Sequence, residues 1–174
     1  LTTNAMKLTN RQERLLEFVK LCHGTQMRKY EQILYWNHPF EVARLVNEHI
    51  KTEGAIEIAL CHDLLEDTTC TARQLEEKLG ELGYEKQLIH YISEGVVEMT
   101  DVFVSEDYPE LNRRERKKRE AQRLGSTAGI VHSVKYADMT DNVKSILSGD
   151  PGFAHVYIRE MIQILDQMRN GNIH

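Results

Sequence analysis

The chain has 174 residues and a formal net charge of −5, and 41% of its residues are hydrophobic and 28% are charged. This length predicts one domain that can bury a core, and this composition excludes a disordered or collagen-like chain. No apolar run approaches the roughly 18 residues of a membrane span, and the acidic balance disfavours binding to nucleic acid or to a membrane surface.

The cysteine pattern indicates the cellular compartment, and the first residues indicate where the domain begins. The three cysteines have no C-x-x-C spacing, so we interpret them as reduced thiols in a cytoplasmic protein. Residues 1–5 precede Met6, a candidate native start, and we leave them out as candidate vector-derived residues. We therefore expect a single domain over residues 6–174.

Helical periodicity runs through the first half of the chain. A capping-box pattern at residues 9–12 predicts a first helix, and Pro39 marks the first turn of a second helix that ends near Ile50. Residues 55–65 are apolar over most of a helix circumference, which predicts a buried and central third helix. A second capping box at residues 71–74 starts a short helix, and one more helix follows it.

The second half of the chain continues the same pattern. Residues 101–111 have mixed polarity and contain a proline, so we interpret them as a loop. A basic segment at residues 112–124 is helical in propensity and continues as a long helix to about residue 147, and an Asp-Pro pair at 150–151 starts the last helix. Only residues 102–104 resemble a strand. The sequence therefore predicts an all-α fold of about seven to eight helices.

Polar residues interrupt the apolar third helix. His62 and Glu66 are four residues apart, as are Asp63 and Asp67, so on a helix all four lie in one sector. Buried acids are costly unless cationic partners or a metal ion compensate them. We therefore expect His62 and Asp63 to reach one cation, with Glu66 and Asp67 one turn further on, towards substrate and water. The alternative is a polar stripe at the end of a helix.

A divalent metal ion needs more ligands than two residues supply. His38 lies at the start of the second helix, and Asp138 interrupts an apolar helical face. Two histidines and two carboxylates suit Mn²⁺, Fe²⁺, Zn²⁺ or Mg²⁺, and the mixed donor set favours a catalytic site with open positions.

These residues lie in segments that resemble a known family. The segments are 23–29 (HGTQMRK), 35–43 (YWNHPFEVA), 61–68 (CHDLLEDT) and 134–138 (VKYAD), the last followed by Asn142. In this order they resemble the HD-domain metal phosphohydrolases. More narrowly, they resemble the hydrolase domain of RelA/SpoT enzymes and its stand-alone form, the metazoan SpoT homologues and bacterial small alarmone hydrolases. The resemblance covers residues 11–166 and implies a single compact HD-domain helical bundle.

The resemblance also implies an activity and a set of site residues. The activity is Mn²⁺-dependent guanosine-3′,5′-bis(diphosphate) 3′-pyrophosphohydrolase, in which a metal-activated water releases pyrophosphate from a small nucleotide. One Mn²⁺ per chain is implied, with another divalent metal ion as the alternative. By position the metal ligands are His38, His62, Asp63 and Asp138, the catalytic acids are Glu66 and Asp67, and the substrate-binding residues are Arg28, Lys29, Asn142 and Ser145. Asp141 departs from the family pattern, which often has histidine or tyrosine there.

Two other functions fit the same residues. The first is an HD-domain phosphatase of another nucleotide, such as NADPH or a 5′-nucleotide, which would release orthophosphate. The second is a nucleotide-binding module without catalysis, which we disfavour because every metal and acidic position is intact. No nucleic acid or membrane partner is expected, and the oligomeric state is left open.

A basic run and several histidines lie outside these motifs. The run at residues 113–123 has two interpretations, a solvated helix face or a group of cations of which two or three reach phosphates. We interpret His23 as a structural hydrogen-bonding residue. The remaining histidines match no ligand spacing and are expected at the surface or with ordinary partners.

Overall fold

The computed structural model describes residues 6–171, and this part of the chain contains nine α-helices. In chain order they are α1 (Asn10–His23), α2 (Asn37–His49), α3 (Ala55–Cys61), α4 (Leu64–Asp67), α5 (Ala72–Glu81), α6 (Lys86–Met99), α7 (Arg113–Gly125), α8 (Gly129–Gly149) and α9 (Pro151–Gln167). Residues 1–5, interpreted as vector-derived, and residues 172–174 lie outside the described residues. The single domain over residues 6–174 stays a prediction.

The predicted third helix is interrupted at its polar residues. It ends as α3 at Cys61 and resumes as α4 at Leu64, with His62 and Asp63 in the turn between them. Counted as one interrupted helix, α3 and α4 bring the number of helices in residues 6–171 to eight. The all-α fold of about seven to eight helices is therefore confirmed.

One continuous helix was predicted from residue 112 to about residue 147, and this prediction is wrong. Helix α7 ends at Gly125, where the backbone N–H of Ser126 bonds back into the last turn. The backbone of Ala128 is extended, so α8 begins as a separate helix at Gly129.

Helix α3 lies at the centre of the main hydrophobic core. It packs against α1, α2, α6 and α8, and Ile58 and Leu60 are fully buried. Full burial of an aliphatic side chain of this size stabilises the fold by about 1.5–3 kcal/mol. The predicted buried, central helix is thus confirmed. A second and smaller cluster joins α7, α8 and α9 through Ala121, Leu124, Met139, Ile164 and Met168.

The packing of α2, α3 and α8 brings the predicted metal ligands together. His38 is the second residue of α2, His62 and Asp63 follow the end of α3, and Asp138 lies in the middle of α8. Each of these three helices contacts the other two. Ligands from distant parts of the sequence therefore meet where these helices cross.

The loop between α6 and α7 is fixed by a buried carboxylate. Glu120 of α7 accepts hydrogen bonds from the backbone N–H groups of Val102 and Phe103, both at 3.0 Å. The loop predicted at residues 101–111 is confirmed, and its first residue is held close to α4. Across residues 6–171, no helix combines the length and the apolar character that crossing a membrane requires.

We expect Gly149→Ala to destabilise the protein by about 1–3 kcal/mol, because a Cβ at this position would overlap Tyr30. The added Cβ would lie 2.3 Å from the Cβ of Tyr30. Gly152→Ala is the matched control in the next helix, because its Cβ would meet only Asp150 Oδ1, at 3.6 Å. Urea unfolding of both variants measures the difference. Equal stability of the two variants would contradict the close packing of Tyr30 on Gly149.

Candidate metal centre

Three buried side chains converge on one point between α2, α3 and α8. His38, His62 and Asp138 each offer a ligand atom, and these atoms all lie within 4.8 Å of one another. Nε2 of His38 is 3.0 Å from Oδ1 of Asp138, and Nε2 of His62 is 3.7 Å from the same oxygen. Three of the four predicted metal ligands therefore form a compact cluster.

The hydrogen bonds of both imidazoles leave Nε2 turned towards this cluster. Nδ1 of His62 donates to the backbone carbonyl of Ala59 at 2.7 Å, and because a carbonyl only accepts, this nitrogen carries the proton. Nδ1 of His38 donates to Oδ2 of Asp141 at 2.7 Å. Metal-binding histidines are typically oriented in this way, with one ring nitrogen bonded to the protein and the other free for the ion.

The environment of Nε2 of His62 shows whether these residues suit a metal ion. This atom is buried and, within the described residues, has no hydrogen-bond partner, although Oδ2 of Asp63 lies 3.1 Å away. A buried polar atom left without a hydrogen bond costs about 1–3 kcal/mol. Coordination of a divalent cation by this nitrogen would remove that cost. The donor set and its geometry therefore fit a divalent metal ion.

The charges around Asp138 keep it ionised in spite of its burial. Burial would raise the pKa of Asp138, but Lys135 and the two histidines outweigh it and hold this pKa well below its usual range. Nζ of Lys135 lies 2.8 Å from Oδ2 of Asp138. Burial would lower the pKa of Lys135, but Asp138 and Asp101 raise it well above the usual value. Asp138 is thus an anionic candidate ligand that carries its own counter-charge.

Asp63 lies beside the cluster of three and not within it. Its Oδ2 is 3.5 Å from Nε2 of His38 and accepts a hydrogen bond of 2.7 Å from the hydroxyl of Tyr35. Burial would raise the pKa of Asp63, but His62 and then His38 lower it below its ordinary value. Its predicted role as a fourth ligand stays a prediction.

The expectation that four polar residues share one sector of a continuous helix is wrong. The chain leaves the helix at His62 and Asp63 and re-enters it at Leu64. Neighbouring residues on a regular helix point about 100° apart. The turn instead brings Nε2 of His62 and Oδ2 of Asp63 within 3.1 Å of each other. The break therefore lets consecutive side chains face the same point.

Glu66 and Asp67 lie on α4 and keep contact with solvent. Oε2 of Glu66 accepts a hydrogen bond of 3.1 Å from the backbone N–H of Asp101. Partial removal of water by the surrounding protein, and next the Asp101 carboxylate, raise the pKa of Glu66 to about 7. Burial and then Asp63 raise the pKa of Asp67 above its usual value, while the nearby hydroxyl of Tyr35 opposes the change. Glu66 can therefore exchange a proton near neutral pH.

The residues predicted to bind substrate occupy different environments. Arg28 is buried and donates to Asp141 and Asn142, and Nδ2 of Asn142 donates to Oδ1 of Asp138 at 2.7 Å. Ser145 is buried and lies three residues after Asn142, which places the two on the same face of α8. Lys29 is exposed, and its Nζ lies 5.0 Å from the ring centroid of Tyr30.

The basic run of α7 is largely engaged with acidic side chains. Lys117 bonds to Asp101 at 2.8 Å, beside Glu66. The other ion pairs of the run join Arg113 to Glu160, Arg119 to Glu115 and Arg123 to Glu120. These contacts favour the interpretation as a solvated helix face. His23, as expected of a structural residue, is buried and bonds through Nδ1 to Gln26 at 2.9 Å.

Sequence reasoning assigned no role to four residues that surround the metal centre. Tyr35 and Lys135 lie inside the segments that carry the resemblance, so their position in a motif was the available signal. Asp141 was noted only as a departure, although its spacing of three from Asp138 places both on one helix face. Asp101 lies in a loop, and nothing in the sequence indicates its bond to Glu66.

A cavity of about 620 Å³ lies elsewhere, between α2, α8 and the end of α9. Leu45, Ile50, Leu165 and Met168 are among its lining residues, and none of the predicted site residues lines it. It offers no carboxylate to a metal ion. We therefore do not assign the predicted metal site to this cavity.

No family model matches this chain. Its fold is similar to a solved structure described as a metazoan ortholog of SpoT that hydrolyzes ppGpp and plays a role in starvation responses. The TM-score is 0.76 at 22% sequence identity, and the match covers 97% of this chain and 91% of that one. The chain therefore has the fold of that ortholog.

Curated relatives are similar in sequence. Guanosine-3′,5′-bis(diphosphate) 3′-pyrophosphohydrolase MESH1 of Xenopus tropicalis is 28% identical over 153 residues, which cover 86% of this chain and 77% of that protein. Guanosine-3′,5′-bis(diphosphate) 3′-pyrophosphohydrolase of Aquifex aeolicus is 41% identical over 69 residues, 40% of this chain and 10% of that protein. GTP pyrophosphokinase rsh of Brucella ovis is 40% identical over 58 residues, 33% of this chain, and the match spans only 8% of its length. The resemblance to RelA/SpoT-type hydrolases in their stand-alone form is confirmed.

We expect a divalent metal ion to stabilise the protein through His62. With Mn²⁺ at a hundred times its dissociation constant, folding should gain about 2.7 kcal/mol, which thermal unfolding detects as a higher Tm. His62→Ala should abolish this gain. His90→Ala is the matched control, because His90 is exposed on α6, away from the candidate ligands, and pairs with Glu94 at 3.2 Å. An equal Mn²⁺ effect in both variants would contradict the metal centre.

Proposed function

We propose that this chain is a metal-dependent guanosine-3′,5′-bis(diphosphate) 3′-pyrophosphohydrolase that releases pyrophosphate from a small nucleotide. The observation that supports this most strongly is that the two imidazole Nε2 atoms meet the Asp138 carboxylate, while Glu66 and Asp67 follow His62 on the short helix α4. The similarity to a metazoan SpoT ortholog that hydrolyzes ppGpp supports the choice of substrate. Its proposed location is the cytoplasm, which the cysteine pattern of the sequence suggests.

In this proposal His38, His62, Asp63 and Asp138 hold one Mn²⁺ ion. The mixture of imidazole and carboxylate donors suits Mn²⁺, although other divalent ions accept the same set. When bound, a divalent ion supplies positive charge to the pyrophosphate oxygens and makes a water molecule more acidic. The protein contributes the fixed orientation of both imidazoles, through Ala59 and Asp141.

Glu66 and Asp67 perform the proton transfer and the positioning of water. Glu66 has a pKa of about 7, so at neutral pH it accepts a proton from water and can release it again. The backbone N–H of Asp101 fixes its carboxylate, which limits the entropy lost on reaching the reactive geometry. Asp67 follows Glu66 on α4 and lies close to the hydroxyl of Tyr35, and in this proposal it holds the same water.

The nucleotide is expected on the exposed side of these groups. Lys29 is the predicted substrate residue best placed to reach a phosphate, because its ammonium group is exposed and no carboxylate is described beside it. Ser145 lies further along the same face of α8 as Asn142. Arg28 and Asn142 already bond to groups of the metal centre, so any contact of theirs with the nucleotide competes with those bonds.

The direct test is product analysis on a panel of nucleotides. Wild-type protein with Mn²⁺ should release pyrophosphate from guanosine tetraphosphate, and Glu66→Gln should lower kcat by about 10²–10⁴-fold because the proton acceptor is lost. Glu77→Gln is the control, since Glu77 is exposed and paired with Arg73. Release of orthophosphate from NADPH or a 5′-nucleotide, with no pyrophosphate from the tetraphosphate, would instead support the alternative phosphatase.

We also expect kcat to rise with pH and to level off at or below about pH 7. A carboxylate accepts a proton only when ionised, so below the pKa of Glu66 the rate should fall about tenfold per pH unit. A bound cation favours the ionised form, so it moves this inflection below pH 7 and not above it. Asp101→Asn removes the neighbouring negative charge and should lower the inflection further. An inflection that Asp101→Asn leaves in place would contradict the assignment to Glu66.

A further inference from the structure

The guanidinium group of Arg28 faces inward, towards the metal centre. Only 7% of its side chain is exposed, and Nη1 donates to Oδ2 of Asp141 at 2.6 Å. Nη2 lies 3.5 Å from Oδ1 of Asn142, and Nε is 3.6 Å from Glu31. All three nitrogens of the guanidinium therefore have partners in the protein.

The two α8 residues that Arg28 contacts each bond to a different metal ligand. Asp141 uses the oxygen that receives Arg28 to accept from Nδ1 of His38, at 2.7 Å. Asn142 donates to Oδ1 of Asp138 at 2.7 Å. Because Nε2 of His38 itself lies 3.0 Å from Oδ1 of Asp138, the contacts form a closed ring.

The ring fixes the orientation of its side chains and compensates the charge of Asp141. Asp141 is 10% exposed in its side chain, so its charge is removed from most of the solvent and depends on Arg28 for compensation. Asn142 can turn its amide only one way, because its NH₂ group meets Asp138 and its carbonyl oxygen meets Arg28. A single guanidinium thus orients the groups behind an imidazole ligand and a carboxylate ligand at once.

We propose that Arg28 is a positioning residue for the metal centre, which it organises through Asp141 and Asn142. Through the metal ligands His38 and Asp138 it acts on the reaction independently of any contact with the nucleotide. The hairpin-like loop that carries Arg28, closed by the bridge between Met27 and Leu34, is thereby tied to the metal ligands. This inference rests on the metal centre of the proposed function.

The test measures Mn²⁺ affinity by calorimetry with the metal alone and no nucleotide. Asp141→Asn should weaken Mn²⁺ binding about 10–100-fold, as is typical when the partner of a ligating histidine is altered. Arg28→Gln should weaken it several-fold, and Arg28→Lys, which keeps the charge, should recover part of this loss. In the double variant the two losses should not multiply, because Arg28 acts through Asp141. Arg73→Gln, an exposed arginine, is the control.

Two results would overturn the inference. One is an Mn²⁺ affinity of Arg28→Gln equal to that of wild type, with only KM for the nucleotide raised, which is what a residue that merely holds substrate would give. The other is losses that multiply in the double variant. Circular dichroism checks folding, and if Arg28→Gln does not fold, Arg28→Lys against Asp141→Asn carries the comparison. Metal binding without hydrolysis would contradict the proposed function while these affinities still decide the role of Arg28.

Discussion

The structure is arranged around two buried imidazole nitrogens that face one carboxylate oxygen. Nε2 of His38 and Nε2 of His62 both approach Oδ1 of Asp138, and the second of these nitrogens has no hydrogen-bond partner in the described part of the chain. Polar atoms in a protein interior destabilise the fold unless hydrogen bonds or coordination satisfy them. A cation at this point satisfies all three atoms. The surrounding helices and charges hold the two imidazole nitrogens and the Asp138 oxygen facing the same point.

The departure from regular helical geometry between α3 and α4 serves the same arrangement. On an unbroken helix, His62 and Asp63 would diverge, and only one of them could reach the centre. The turn directs both inward, while α4 then carries Glu66 and Asp67 to the solvent side. Compensating charge comes from α8, where Lys135 neutralises Asp138, and from Arg28, which neutralises Asp141. Ligands, proton acceptors and counter-charges thus come from separate elements of one helical packing.

Much of this could be predicted from the sequence, for identifiable reasons. Helical periodicity and two capping boxes predict the helices, and polar residues inside an apolar segment predict the position of the centre. His38 is a candidate because it lies at the start of the second helix, and Asp138 because it interrupts an apolar helical face. The break at His62 is not predicted, because the apolar pattern of the helix continues on both sides of it and no glycine or proline marks a turn there. Asp101 and the inward orientation of Arg28 depend on long-range contacts, to Glu66 and to Asp141, that no local pattern encodes.

The central claim is that His38, His62 and Asp138 bind one divalent ion through the two Nε2 atoms and the carboxylate. Anomalous diffraction from crystals of the protein loaded with Mn²⁺ tests it most directly, because the ion is then located without reference to activity. We expect a single anomalous peak at coordination distance from Nε2 of both histidines and from an oxygen of Asp138. A peak that touches neither Nε2 atom, or no peak between α2, α3 and α8 at saturating Mn²⁺, would contradict it.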